Sequence, residues 1–405
     1  MNGIRKISKK RLLALTGTSW LFDALDVGIL SFIIAALEKD WHLSAEQMGW
    51  IGSVNSIGMA IGAFVFGALA DRFGRKQIFL WTLLFFSVGS GLSAFSQSFI
   101  VFIIFRLIVG MGLGGELPVA STLVSESVEV KDRGRIVVLL ESFWAVGWIL
   151  SALIAYFIIP KFGWQIALIL TALPAFYTLY LRKGLPDSPQ FLAKKQNRGE
   201  ASIFVKIAQV WSKEFAARTC MLWILWFSVV FSYYGMFLWL PSVIAMKGFD
   251  LIHSFGYVLI MTIAQLPGYF TAAWLIEKAG RKFVLVTFLI GTAISAYWFG
   301  HAESVLMLII SGMLLSFFDL GAWGALYAYS PEQYPTAIRG TGTGMAAAFG
   351  RIGGILGPLL VGTLVARHIP TASIFTIFCL SIFVGVLFLI FLGKETRAGK
   401  LSEEY

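Results

Sequence analysis

The chain has 405 residues, of which 58% are hydrophobic and only 13% charged, about half the charged share of an ordinary soluble domain. That balance excludes a soluble globular fold, which could not hide so much apolar surface, and it calls for a bilayer. The net charge of +10 does not mark a nucleic-acid binder, because the basic residues stand in short clusters between long apolar runs, as in loops that face an anionic membrane leaflet.

In chain order, basic residues 1–11 lead directly into a full-length apolar run with no small-residue cleavage site, so no removable signal peptide is expected. A spanning helix needs about 20 mostly apolar residues. Twelve such runs follow: 12–37, 45–70, 77–96, 99–123, 136–159 and 163–182, then 218–245, 252–275, 283–300, 304–329, 341–366 and 371–393. The long polar connection 183–217 separates a bundle at 1–182 from a second at 218–405, which ends in a short tail. The expected fold is an all-α membrane protein, twelve transmembrane helices in two pseudo-symmetric six-helix bundles. With the N-terminus inside, 26 of the 32 Lys and Arg fall in cytoplasmic segments, four in outer loops (Lys39, Lys161, Lys247 and Arg367) and two, Arg106 and Arg351, inside helices. The positive-inside rule then predicts a multi-pass protein of the cell (inner) membrane with both termini and the central loop cytoplasmic.

An internal repeat supports the division. Between runs 2 and 3 stands Gly67-Ala-Leu-Ala-Asp71-Arg72-Phe-Gly74-Arg75-Lys76, and between runs 8 and 9 stands Ala273-Trp-Leu-Ile-Glu277-Lys278-Ala-Gly280-Arg281-Lys282, each aligned pair 206 residues apart. Glu126 and Arg133 match Glu332 and Arg339 at the same offset. Two motifs at one offset indicate a duplicated half, related by an axis along the membrane normal. Gly67 permits close helix approach, Asp71 can receive an Arg or the positive end of a neighbouring helix, and Arg72, Arg75 and Lys76 can pair across the halves. These residues, with Glu126, Arg133, Glu277, Lys278, Arg281, Lys282, Glu332 and Arg339, form a candidate inner gate.

Away from their ends, the runs hold seven charged residues: Asp23, Asp26, Arg106, Glu116, Glu141, Asp319 and Arg351. A charge at the bilayer centre costs at least ~2.5–3.5 kcal/mol, so each needs a partner or a water-filled cavity. Asp23 and Asp26 are three apart on one helix face, and either can carry a proton; the alternative is a structural pair held by polar groups. Arg106 is expected to join them in a network. Glu116, before Pro118, and Glu141 complete the proton-coupling set, with structural satisfaction of Glu116 equally open. Arg351, alone on a small-residue face, can hold a substrate carboxylate by two parallel bonds; the other reading is an internal salt bridge to Asp319 or a gate acid. Aromatic stripes accompany the acids: Glu141, Trp144 and Trp148 at i, i+3 and i+7, and Asp319, Trp323 and Tyr327 at i, i+4 and i+8. An aromatic wall beside a carboxyl suits a flat ring, although helix packing explains most tryptophans. Tyr233, Tyr234 and Trp239, before Pro241, make a further candidate set.

Other patterns carry no chemistry. Gly110-Met-Gly112-Leu-Gly114-Gly115 fits G-x-G-x-x-G, but it lies in an apolar helix without a preceding strand, so helix packing is the expected role. No Walker A sequence occurs. Cys220 and Cys379 give no disulfide framework, and His42, His253, His301 and His368, near outer helix ends, give no metal spacing. Neither metal nor cofactor is expected, and nothing assembles a catalytic set.

The 67–76 segment matches the signature G-x-x-x-D-R-x-G-R-K of the major facilitator superfamily at every fixed position, and the chain resembles that superfamily throughout. The resemblance implies alternating access, with the gate pairs locking the outward-open state. Pro186-Asp187-Ser188-Pro189-Gln190-Phe191-Leu192 and Lys394-Glu395-Thr396-Arg397 resemble segments of sugar porters, with Gln190 where those have Arg. Phe22-Asp23-Ala24-Leu25-Asp26 resembles the D-G-x-D element of aromatic-acid proton symporters, with Ala24 for Gly. Gly350-Arg351-Ile-Gly353-Gly354 is similar to a helix of organic-anion transporters in which an Arg serves the carboxylate. Taken together the chain most resembles bacterial nicotinate transporters, relatives of the organic ion and synaptic-vesicle-type carriers. That resemblance implies uptake of a small aromatic carboxylate, with proton symport, by a monomer in the lipid bilayer. Benzoate-like acids, organic cations, sugars and drug or metabolite efflux stay open as alternatives.

Overall fold

The computed structural model describes residues 9–73, 75–127, 133–182, 202–335 and 337–396. Every regular element among them is helical. The first half contains α1 (Lys9–Trp41), α2 (Ala45–Phe73), α3 (Arg75–Ser93), α4 (Phe99–Ser127), α5 (Arg133–Phe157), the one-turn α6 (Ile159–Phe162) and α7 (Trp164–Arg182). A short α8 (Ile203–Val210) follows, then α9 (Ala216–Phe237), α10 (Leu240–Met246), α11 (Leu251–Ile263), α12 (Gln265–Ala279), α13 (Arg281–Gly300), α14 (Val305–Glu332), α15 (Arg339–Ala366) and α16 (Thr371–Leu392).

Nine membrane-length apolar spans are present among the described residues, α11 and α12 counting as one. With α3, α4 and α7, helices of 19, 29 and 19 residues, they make the twelve expected rods. Large apolar side chains such as Phe64, Phe176 and Phe391 face outward, as lipid contact requires.

Three expected boundaries differ from the structure. The run 218–245 is two helices, α9 and α10, and the run 252–275 is α11 and α12. In both cases a proline sets the break: Pro241 and Pro267 each lie four residues past the last residue of the preceding helix, Phe237 and Ile263. A proline ring collides with the carbonyl at i−4 and offers no N–H. The connection 183–217 is also not all loop, because α8 and the start of α9 lie within it.

The helices share two ends. Turns at 73–75, 279–281 and 332–339 lie at one, called here the motif end; turns at 41–45, 246–251 and 366–371 lie at the other. At that opposite end Asp250 caps α11, its Oδ1 accepting the His253 N–H at 2.8 Å, which holds this exposed carboxyl below the usual carboxylate range.

Close approach inside the first half runs through the glycines of α4. A Cβ at Gly110 or Gly114 would collide with the backbone of α2 at Asn55 or Met59, and one at Gly112 with the Thr82 carbonyl of α3. The G-x-G-x-x-G pattern is therefore a helix seat. The two halves meet similarly along α2 and α15, where a Cβ at Gly49 would lie 2.8 Å from the Pro358 carbonyl and one at Gly362 would lie 2.5 Å from that of Ala45. Ser53 Oγ donates to the Ile355 carbonyl at 2.6 Å across the same seam. Phe32 on Phe255 and Trp148 on Phe237, with ring centroids 5.2 and 5.9 Å apart, close the halves further.

Candidate functional site

A small cavity lies between the halves. Its wall takes Trp20 from α1, Glu141 and Trp144 from α5, Tyr233 and Tyr234 from α9, Tyr269 from α12, Trp323 and Tyr327 from α14, and Arg351 from α15. The rings support one another. Trp323 and Tyr327 stack at 25°. Tyr327 also receives Trp20 and Trp226 edge-on, at 6.0 and 5.1 Å between centroids. These two tryptophans stand 206 apart, so the duplication places an indole on each side of one phenol. Trp144 Nε1 donates to the Tyr233 hydroxyl at 2.7 Å, and Trp20 Nε1 donates to Glu141 Oε2 at 3.2 Å. Arg351 donates from Nη1 to the Tyr234 hydroxyl at 3.4 Å and approaches Met59 Sδ at 3.8 Å.

The second intramembrane arginine is sealed. Arg106 Nη1 and Nη2 donate to Asp26 Oδ1 and Oδ2 at 3.2 and 2.6 Å, and Ser90 Oγ adds a bond to Oδ1 at 3.1 Å. Both charged side chains are 0% exposed. This fork against a carboxylate, with a third donor, is the geometry that makes a buried pair tolerable. Asp23, one turn away, is also buried.

At the motif end Arg281 is fully buried and gathers two acids, Glu277 at 2.9 Å and Glu332 at 3.2 Å. Glu332 accepts from Thr396 Oγ1 at 2.6 Å. Glu395 accepts the Arg281 backbone N–H at 2.7 Å and that of Lys282 at 3.1 Å, capping the first turn of α13. Gly280 turns into α13 at φ 103°, a backbone conformation open to glycine. Glu277 also accepts the Arg135 backbone N–H at 3.1 Å, so this cluster touches the first half.

The predicted residues thus divide. The structure brings Arg351, Glu141, Trp144, Trp323 and Tyr327 to one cavity, and Asp26 to Arg106. Trp148 and Asp319 stand off the cavity wall, as does Trp239. Each stripe spans about two helical turns, and its far member lies toward the opposite end, where the halves close. Lys278 lies 4.0 Å over the Trp274 ring, Lys282 donates to the Ile390 and Gly393 carbonyls, and Arg339 donates to that of Tyr334. Gly74 and the side chains of Gly67, Asp71, Arg72, Arg75, Lys76, Glu116, Glu126 and Arg133 lie outside the described residues. Trp20 and Tyr269 were not predicted; the offset that relates Trp20 to Trp226 was the available signal for the first. Among the described residues no group of three or more His, Cys, Asp or Glu is placed to hold a metal.

A cavity between two repeated helical halves, walled by both, is the architecture of a membrane carrier. The chain matches the Major Facilitator Superfamily over residues 18–267 and 256–404. It is 65% identical over 396 residues, 98% of each chain, to a protein of Bacillus subtilis (strain 168) with the provisional name niacin/nicotinamide transporter NiaP. It is 47% identical over 418 residues, 97% of this chain and 95% of the other, to the niacin transporter NiaP of Acinetobacter baylyi. In fold it is similar to the xylose transporter XylE of E. coli in a partially occluded inward-open conformation, with TM-score 0.77, 19% identity and coverage of 96% and 98% of the two chains. The chain belongs to the Major Facilitator Superfamily: it is a multi-pass membrane transporter of a small molecule, not an enzyme.

Proposed function

We propose that this chain takes up nicotinate, or a small aromatic carboxylate like it, across the cell membrane by alternating access. The observation that carries this reading is Arg351: a guanidinium in an aromatic cavity, joined to no carboxylate among the described side chains and contacting a tyrosine hydroxyl and a thioether instead. A planar fork of that kind suits a carboxylate, and the surrounding ring faces suit a flat ring. The niacin names of the two relatives, each similar over nearly the full length, support nicotinate in particular. An organic cation fits less well, since Arg351 would oppose it.

The distribution of Lys and Arg supports a cytoplasmic motif end and cytoplasmic termini. Halves at 1–182 and 218–405, tethered by 183–217, rock about the cavity. Both halves line that one cavity, so a monomer suffices. The closed α2–α15 seam then seals the cavity from outside. Proton symport would use Asp26: a proton there removes the charge that holds Arg106 and lets α1 and α4 rearrange, with Asp23, Glu116 and Glu141 as further carriers of the relay.

The test is uptake of radiolabelled nicotinate into proteoliposomes, with and without an inward proton gradient. Expected are gradient-stimulated uptake, competition by unlabelled nicotinate, and loss in Arg351→Ala. Uptake indifferent to the gradient removes the symport reading. Absence of uptake by folded protein sinks the substrate.

A further inference from the structure

Glu141 stands in the cavity wall at 3% exposure. Trp20 satisfies its Oε2, whereas Oε1 meets no hydrogen-bond partner among the described residues. Arg351 lines the same cavity without forming an ion pair with it. The cavity therefore presents a guanidinium from the second half, a carboxyl from the first and the aromatic side chains of both. A buried carboxyl oxygen is costly when nothing meets it, and a ligand atom is the natural partner in a cavity wall.

An aromatic ring whose carboxylate is held by Arg351 would share this cavity with Glu141, leaving another ring edge for the carboxyl to meet. A ring carbon on that edge offers neither a lone pair nor an N–H. A ring nitrogen offers one or the other. With Glu141 as the acid, its O–H donates to the nitrogen lone pair; with the nitrogen protonated, the N–H donates to Oε1. Either way one proton is held between the two atoms, which suits a pyridine-type ring and fails with a benzene ring.

We infer that Glu141 is a specificity-determining residue, selecting nitrogen-containing aromatic acids over their carbocyclic analogues. The inference rests on the reading that Arg351 holds the substrate carboxylate. Trp323 is the rival, because its indole N–H also lacks a partner in this wall. Glu141 is favoured by position: Arg351 and Trp323 both belong to the second half, whereas a ligand between Arg351 and Glu141 bridges the halves and links recognition to their closure.

The experiment is displacement of labelled nicotinate from the purified carrier by unlabelled nicotinate and by benzoate, in wild type, Glu141→Leu, Glu141→Gln and Trp323→Phe. Melting curves verify that each variant is folded. Wild type should prefer nicotinate by about tenfold or more, since a site built to bond a polar atom rejects the analogue lacking it. Glu141→Leu should bring the two ligands close together by weakening nicotinate alone. Glu141→Gln should keep part of the preference, because its amide still donates. A preference intact in Glu141→Leu, equal weakening of both ligands, or levelling by Trp323→Phe instead would overturn the inference while leaving the carboxylate reading in place. Nicotinate that fails to bind wild type, or binds Arg351→Ala unchanged, overturns that reading and takes the inference with it.

Discussion

Two arginines lie within the bilayer-spanning helices, and their surroundings assign them opposite tasks. Arg106 is enclosed and paired through both Nη atoms with Asp26, while Arg351 lines the cavity and, among the described residues, donates to a hydroxyl and a thioether rather than to a carboxylate. Removing one partner of a sealed pair leaves an uncompensated charge, which costs about 3–5 kcal/mol. Asp26→Asn is therefore expected to lower the melting temperature markedly and to abolish gradient-driven accumulation; an unchanged melting curve would show that the pair does not hold α1 against α4. Both arginines were legible in the sequence, because a charge inside an apolar run needs a partner or a cavity. Trp20 and Tyr269 were not, since one ring among 14 tryptophans and 12 tyrosines in apolar helices carries no signal of its own. Asp319 shows the limit from the other side: the sequence marked it as polar and intramembrane, but its depth along α14 takes it off the wall.

At the scale of elements, glycines set how closely helices meet. A Cβ at Gly362 would meet the Ala45 carbonyl at 2.5 Å and the Gly49 Cα at 3.1 Å, and backbone atoms cannot rotate away from an added side chain. Gly362→Val should cost the closed seam about 1–3 kcal/mol, shifting the open-to-closed ratio roughly 5- to 150-fold. The readout is a cysteine introduced at Ser56, beside Gly354 on α15, in a background lacking Cys220 and Cys379. Its reaction with an impermeant thiol reagent should accelerate in the glycine variant, and an unchanged rate would mean that the seam does not gate access. Hydropathy located every span, because membrane helices must be apolar along their length. It did not locate the breaks after Phe237 and Ile263, since Pro241 and Pro267 are themselves compatible with an apolar run and act through a carbonyl four residues back.

For the whole molecule, the 206-residue offset relates more than the gate motifs. It pairs Trp20 with Trp226 around Tyr327, so the duplication reaches the rings packed on a residue of the cavity wall. The charged residues break that symmetry: Arg351 lies on the second half and Glu141 on the first. The fold was legible because a repeat, a charge asymmetry and a hydropathy pattern agreed. The cavity was legible only in part, because it forms where separate helices converge and no single stretch of sequence records that meeting. The central claim is that Arg351 holds the carboxylate of a flat aromatic substrate between the halves. An electron cryomicroscopy structure with nicotinate bound tests it most directly. The account predicts the ligand within the aromatic cavity, its carboxylate at hydrogen-bond distance from the Arg351 guanidinium. A ligand bound elsewhere, or one with its carboxylate turned away from Arg351, would contradict it.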